Sequence, residues 1–186
     1  MGDAYRIKGN TFRAHVAYLK ENGLCDAVLA RLSPEAAALV VQPPLPASWV
    51  SGALLDEICV AVHALKGKET LLQMERAVIW GPLTKMFIPI LQGLFRVLGA
   101  SPGALAARFQ DVVKRHVEGM EFRYEPVSEN SGTMTIRFAT DRPVPAAAFT
   151  ACYASMENIF LVCGVKGTVI GPEMVGPQSA RFRMSW

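Results

Sequence analysis

The chain is poor in the residues that usually announce chemistry. Its 186 positions hold only four cysteines, Cys25, Cys59, Cys152 and Cys163, with no CxxC pair among them, and three histidines. That spacing signals neither a disulfide framework nor a zinc knuckle, so the cysteines read as buried thiols of a reducing cytoplasm. Charge is scarce as well: 19% of residues are charged against 51% hydrophobic, with a net charge of +3. The composition argues against disorder and lacks the concentrated Lys/Arg stripe that displaces phosphate counterions, so nucleic acid is not an expected partner. There is no phosphate-cradling glycine loop, no GxSxG elbow and no HExxH helix, and no catalytic residue, metal ligand or cofactor is assigned. The first twenty-odd residues hold no apolar leader, and Met1-Gly2 is followed by Arg6 where an acylation signal wants Ser or Thr. Targeting is therefore not expected, and a cytoplasmic location is.

What the chain has in excess is apolar surface. In "KMFIPILQGLFR", residues 85–96, ten residues between two cations carry one strong polar group, Gln92. A membrane span needs about 20 apolar residues, so this stretch does not cross one, and Pro89 and Gly93 interrupt it. Met86, Phe87, Ile90, Leu91, Leu94 and Phe95 cover more than one face of the implied helix. A helix that is apolar all round must be surrounded by protein or by a guest. With Phe109 from the next helix, these six are the candidate ligand pocket.

Glycines and prolines divide the chain. Gly23, Gly67, Gly99, Gly119 and Gly164 each follow a run with helical periodicity, and Ser33-Pro34 and Ser101-Pro102 each pair a capping hydroxyl with a proline suited to the first turn. The spacing predicts helices near 10–22, 24–31, 34–41, 48–66, 69–79, 83–98, 102–118 and 145–163. Leu55, Ile58, Val62 and Leu65 form one buried stripe, and Leu105, Phe109, Val112 and Val113 another. "QPPLP" at 42–46 is an inter-helix loop. After Gly119 the period becomes two: Met120, Phe122 and Tyr124, then Met134, Ile136 and Phe138, alternate with polar residues around Asn130-Ser131-Gly132 and predict a β-hairpin. "GVKGTVIG" and "ARFRMSW" predict a second hairpin after the 145–163 helix. The order helices, hairpin, helix, hairpin gives one α+β domain over 1–186, an N-terminal helical layer packed on a four-stranded antiparallel sheet. Arg123, Arg137, Arg181 and Arg183 fall on the sheet's other face, expected to be solvated.

The most suggestive polar grouping is "DEICVAVH", where Asp56, Cys59 and His63 lie three and four residues apart. A metal or thiolate site there would need further ligands or an orienting group. At 100° per residue, Asp56 and His63 point away from the buried stripe, which places the grouping toward solvent or a partner. His116 sits in a cationic turn that the helix dipole explains, and His15 has no evident partner.

This order, with a strand pair either side of one amphipathic helix, resembles the ligand-binding superfamily shared by NO-signalling and Golgi-transport (TRAPP-like) proteins. "VEGMEFRYEP" at the entry to the sheet and "RFRMSW" at 181–186 make it most similar to a chiefly myxobacterial branch. The haem-binding branch of that superfamily has a proximal histidine followed by a proline, and a Tyr-x-Ser-x-Arg clamp on the propionates. Here Tyr153-Ala154-Ser155-Met156 is followed by Glu157, a negative charge where an arginine should meet carboxylates, and His116 and Pro126 are too close together for the pattern. The aromatic-sensing branch has a cysteine-rich zinc site that Cys152 and Cys163 alone do not close. The trafficking branch dimerises through its helices, and some members enclose an acyl chain.

The expectation is a non-catalytic regulatory or signalling-associated domain, not an enzyme, that binds an apolar small molecule or lipid in an internal pocket and forms a homodimer. The alternative is a homodimeric interaction or adaptor module without a ligand, since an apolar patch can equally be buried between subunits.

Overall fold

The computed structural model describes residues 4–79, 89–90, 92–93 and 101–186. Strand β1 (Arg6–Lys8) leads into α1 (Gly9–Glu21), followed by α2 (Cys25–Leu29) and α3 (Pro34–Val41). Ser33 caps α3 through its Oγ, which accepts the Ala36 N–H at 3.3 Å, with Pro34 in the first turn. Strand β2 (Trp49–Ser51) then opens onto α4 (Gly52–Ile79).

The α4 segment is two helices rather than one. Gly67 sits at φ 80°, ψ 179°, a conformation essentially reserved for glycine, and the chain folds back there. Sixteen residues of straight helix would separate Cys59 from Glu75 by about 24 Å, yet Cys59 Sγ lies 3.7 Å from Glu75 Oε1. The predicted break between 66 and 69 is thus correct. The predicted start at 48 is not, because Trp49–Ser51 pair with β1, which also pairs with β3 (Val117–Glu118) in a small antiparallel sheet ordered β2-β1-β3. Strands of two or three residues are too short to show an alternation.

The predicted helix 102–118 also divides, into α5 (Pro102–Ala107) and α6 (Phe109–Val113). Ser101 caps α5 by accepting the Ala104 N–H at 3.2 Å, but Arg108, at φ −103° and ψ 4°, leaves the helical region. The carboxamide of Gln110 then grips a strand edge, donating to Met120 O at 3.1 Å and accepting the Phe122 N–H at 2.7 Å. Val112, assigned to the buried stripe, is 54% exposed, whereas Phe109 is buried.

Gly119, at φ 71°, turns the chain into the large sheet; a Cβ there would meet Ala4 O at 2.3 Å. Strands β4 (Met120–Ser128) and β5 (Ser131–Phe138) make the first hairpin, and β6 (Thr168–Gly176) and β7 (Ser179–Ser185) the second, with α7 (Ala146–Cys163) between them. The sheet is antiparallel throughout and ordered β4-β5-β7-β6. The α+β architecture of helices, hairpin, helix, hairpin is as predicted.

Alternation decides the sheet's two faces. Met134, Ile136, Phe138, Ala180, Phe182 and Met184 are all buried on one side. The four arginines are exposed on the other, where Arg123 and Arg181 flank Thr135 and Arg137 sits opposite Glu121. Arg123 also pairs with Glu125 at 3.0 Å, so this face is a mixed-charge surface. Beneath the apolar face lies α7, whose Phe149, Met156, Ile159 and Phe160 are buried. This helix is long and apolar enough to cross a membrane, but its apolar residues have a closer occupant. Phe149 meets Phe138 edge-to-face at 5.0 Å, and Phe138 meets Tyr5 in the same way at 4.8 Å. Fully burying such a ring is worth about 1.5–3 kcal/mol, and this aromatic chain ties the first strand to the sheet and its helix.

Candidate functional site

Between α1, α4, α6, α7 and strand β4 lies a cavity of about 640 Å³, within the 300–1,000 Å³ usual for small-molecule sites. Its two sides differ. One is apolar: Phe109 and Val113 of α6 face it with Met120 and Phe122 of β4, and the rings of Phe109 and Phe122 stand edge-to-face at 5.1 Å. The other is polar and comes from α1, α4 and α7: His15, Asp56, Cys59, Glu75, Cys152, Ser155 and Asn158.

The fold-back at Gly67 assembles most of that polar side. It lays Glu75 against His15 of α1, whose Nε2 is 3.0 Å from Glu75 Oε1 while its Nδ1 donates to Thr11 O at 2.8 Å. Burial alone would lower the His15 pKa, but the charge and hydrogen bond of Glu75 outweigh it and hold the imidazole above its ordinary value. Cys59 is 2% exposed; burial first, then the charges of Glu75 and Asp56, push its thiol well up. Cys152 is pushed up by the same causes. Both sulfurs are therefore neutral thiols at physiological pH, poor nucleophiles and poor metal ligands.

Asp56 is 3% exposed and accepts from Arg142 Nη2 at 2.6 Å and from the Tyr5 hydroxyl at 3.5 Å. The sequence reading that turned Asp56 toward solvent is thus corrected: an arginine 86 residues away in the chain supplies its charge partner inside the fold. His63 is exposed as expected. Asp56, Cys59 and His63 are consequently no cluster, since the first two face inward and the third outward. Among the described residues, no group of three or more His, Cys, Asp or Glu side chains is arranged to hold a metal ion.

Of the candidate pocket residues, Phe109 lines the cavity and Ile90 is 65% exposed, while Met86, Phe87, Leu91, Leu94 and Phe95 lie outside the described residues. Gln92, the polar residue of that stretch, donates to Leu161 O on α7 at 2.7 Å. The residues that sequence reasoning missed are Glu75, Cys152, Ser155 and Asn158. The last three recur every third residue and share one helix face, a signal visible in the sequence. Glu75 carries no such signal.

The clamp sequence of α7 has other work here. Tyr153 donates its hydroxyl to Val169 O at 3.0 Å. Glu157 takes a two-point grip from Arg76, Nε at 2.8 Å and Nη2 at 3.1 Å, and Arg76 also reaches Glu69 at 3.0 Å.

No protein-family profile matches the chain, and no curated protein matches it significantly. Solved structures do. The Fe(II) unliganded H-NOX protein from K. algicida is 14% identical with a TM-score of 0.63, and 96% of each chain is covered. A point mutant of T. Tengcongensis H-NOX is 11% identical with a TM-score of 0.54, covering 96% of this chain and 97% of that one. A structure from a study of haem distortion in the H-NOX family is 12% identical with a TM-score of 0.56, covering 97% and 95%. At such identities the likeness establishes the fold.

Proposed function

We propose that this chain is a non-catalytic sensory or regulatory domain that holds a small apolar molecule in the cavity between its helical layer and its sheet. The observation that carries this reading is the cavity itself: about 640 Å³, with Phe109, Val113, Met120 and Phe122 along one side. His15 is bonded through both ring nitrogens, and the Cys59 thiol, although 3.7 Å from the Glu75 carboxylate, is kept protonated by burial, so among the described residues no activated nucleophile lines the cavity. The four cysteines are free, in keeping with a reducing compartment.

Haem, which the H-NOX structures concern, does not fit the residues present. His15 has no nitrogen left to offer iron, and His116, the other described histidine lining the cavity, stands exposed in the turn beyond α6. Among the described lining residues there is no Lys or Arg to meet propionates. Glu157 stands where the resemblance puts the clamp arginine and is already held by Arg76.

Native against denaturing mass spectrometry of freshly purified protein tests the reading. A retained small molecule, or a melting temperature raised by neutral apolar probes of six to ten carbons, is the expected result. Bare polypeptide whose melting no probe shifts would end it. The absence of a Soret band after incubation with haemin is expected alongside.

A second reading, a homodimeric interaction module, has its own support in the edge strand β6, where Ile170, Met174 and Val175 are each at least 44% exposed. Exposed apolar side chains on a sheet edge invite a partner strand. Light scattering that gives a monomer at micromolar concentration would remove it.

A further inference from the structure

We propose that the cavity selects an uncharged guest whose head donates hydrogen bonds, an amide or kindred N–H group on an apolar body, and that it rejects carboxylates. This rests on the ligand-binding reading above and goes on to name the ligand's chemistry. Two carboxylates, Asp56 and Glu75, face the cavity, and no Lys or Arg is among its described lining residues. An anionic head would lose its hydration with no Lys or Arg among the described lining residues to pair with, and His116, which also lines the cavity, stands exposed to solvent. A cationic head fares little better, because each carboxylate is already bonded: Arg142 lies 2.6 Å from Asp56, and His15 Nε2 lies 3.0 Å from Glu75. A further positive charge would be buried beside carboxylates that already have partners and would lose its hydration. Charge therefore favours a neutral guest.

Asn158 determines what that guest must carry. Its Oδ1 is buried and has no hydrogen-bond partner, although the residue lines the cavity on the same face of α7 as Cys152 and Ser155. A buried amide atom left unpaired is costly and rare in folded proteins. A guest amide offers a donor and an acceptor side by side, so it can pair with the Asn158 carboxamide whichever way round that group lies. Glu75, near the same face, is a second acceptor for a guest N–H. The guest's apolar body would then rest against Phe109 and Phe122, which reproduces the division of the cavity into a polar and an apolar side.

Three probes of equal chain length separate the cases: octanamide, methyl octanoate and sodium octanoate, each titrated into the full chain by calorimetry and thermal shift. Octanamide is expected to bind about tenfold more tightly than either of the others, the scale of one good buried hydrogen bond. In Asn158→Leu the preference for amide over ester should fall below about twofold while the ester's affinity holds. Asn158→Ala carries the same comparison should the leucine variant fail to fold. Octanoate binding as well as octanamide overturns the inference, as does an amide preference that survives both variants. Equal binding of amide and ester also overturns it and leaves the apolar-cavity reading intact, whereas binding by none of the three removes both.

Discussion

The sheet with α7 and the junction of α1 with α4 are both buried, yet they are held in opposite ways. The sheet side is dry: Phe138, Phe149, Phe182, Met134 and Ile136 are at most 2% exposed and bring no buried charge with them. The junction side buries His15, Asp56 and Glu75. Dispersion and the hydrophobic effect are non-directional, so the dry region depends on volume and pattern. A buried ion pair depends on both partners being present, because removing one leaves the other charged and unsolvated. One region is built for stability, and the other holds polar groups in place beside a cavity.

The largest effect should come from the dry side. Phe182 is fully buried, and Phe182→Ala leaves a void that surrounding β-strands cannot close, at a cost of about 4 kcal/mol. Urea denaturation would read it as a lower midpoint with an unchanged slope. On the junction side, Glu75→Ala should cost about 3 kcal/mol by stranding His15. The two can be told apart by pH. The His15 pKa is raised in the folded state, so the stability it contributes is fully present below its unfolded value, about 6.5, and is lost as pH rises through the folded value. Wild type and Phe182→Ala should both weaken over that interval, and Glu75→Ala should lose that part of the slope. A Phe182→Ala variant without the slope would mean that the two regions are not independent.

The same division explains what could be read from the sequence. The sheet faces follow from a period of two in Met134, Ile136 and Phe138, and in Phe182, Met184 and Trp186; the caps at Ser33 and Ser101 follow from the proline after each. These are local signals, and the structure bears them out. The polar side of the cavity depends on pairs 60 and 86 residues apart, His15 with Glu75 and Asp56 with Arg142. Helical-wheel angles placed Asp56 outside because they know only one helix and its stripe; the loop carrying Arg142 packs where solvent was assumed. Nor could the wheel find Glu75, since its position relies on the chain folding back at Gly67.

Gly67 therefore gives a smaller but more specific test. A Cβ added there meets nothing within 4 Å, so any cost is backbone strain alone. At φ 80° and ψ 179° that strain is about 2 kcal/mol for Gly67→Ala. The loss should fall on the junction: amide exchange should quicken along residues 68–79 and in α1 before it changes in β5 and β7. Uniform quickening would mean that the hinge belongs to the core as a whole.

The smallest effect is expected at the surface, where the geometry looks strongest. Arg76 grips Glu157 at two points and Glu69 at a third, but the Arg76 and Glu157 side chains are 37% and 32% exposed. Water screens such pairs and ordering long side chains opposes them, so Glu157→Ala should cost only about 0.5 kcal/mol, less again in 1 M salt. Because Glu157 stands one residue before Asn158, the variant also separates two roles of α7. If the Arg76 pair merely bridges α4 and α7, affinity for octanamide should be unchanged in Glu157→Ala. A loss of that affinity at near-normal stability would mean that the pair sets the rotation of α7, and with it the direction in which Asn158 faces the cavity.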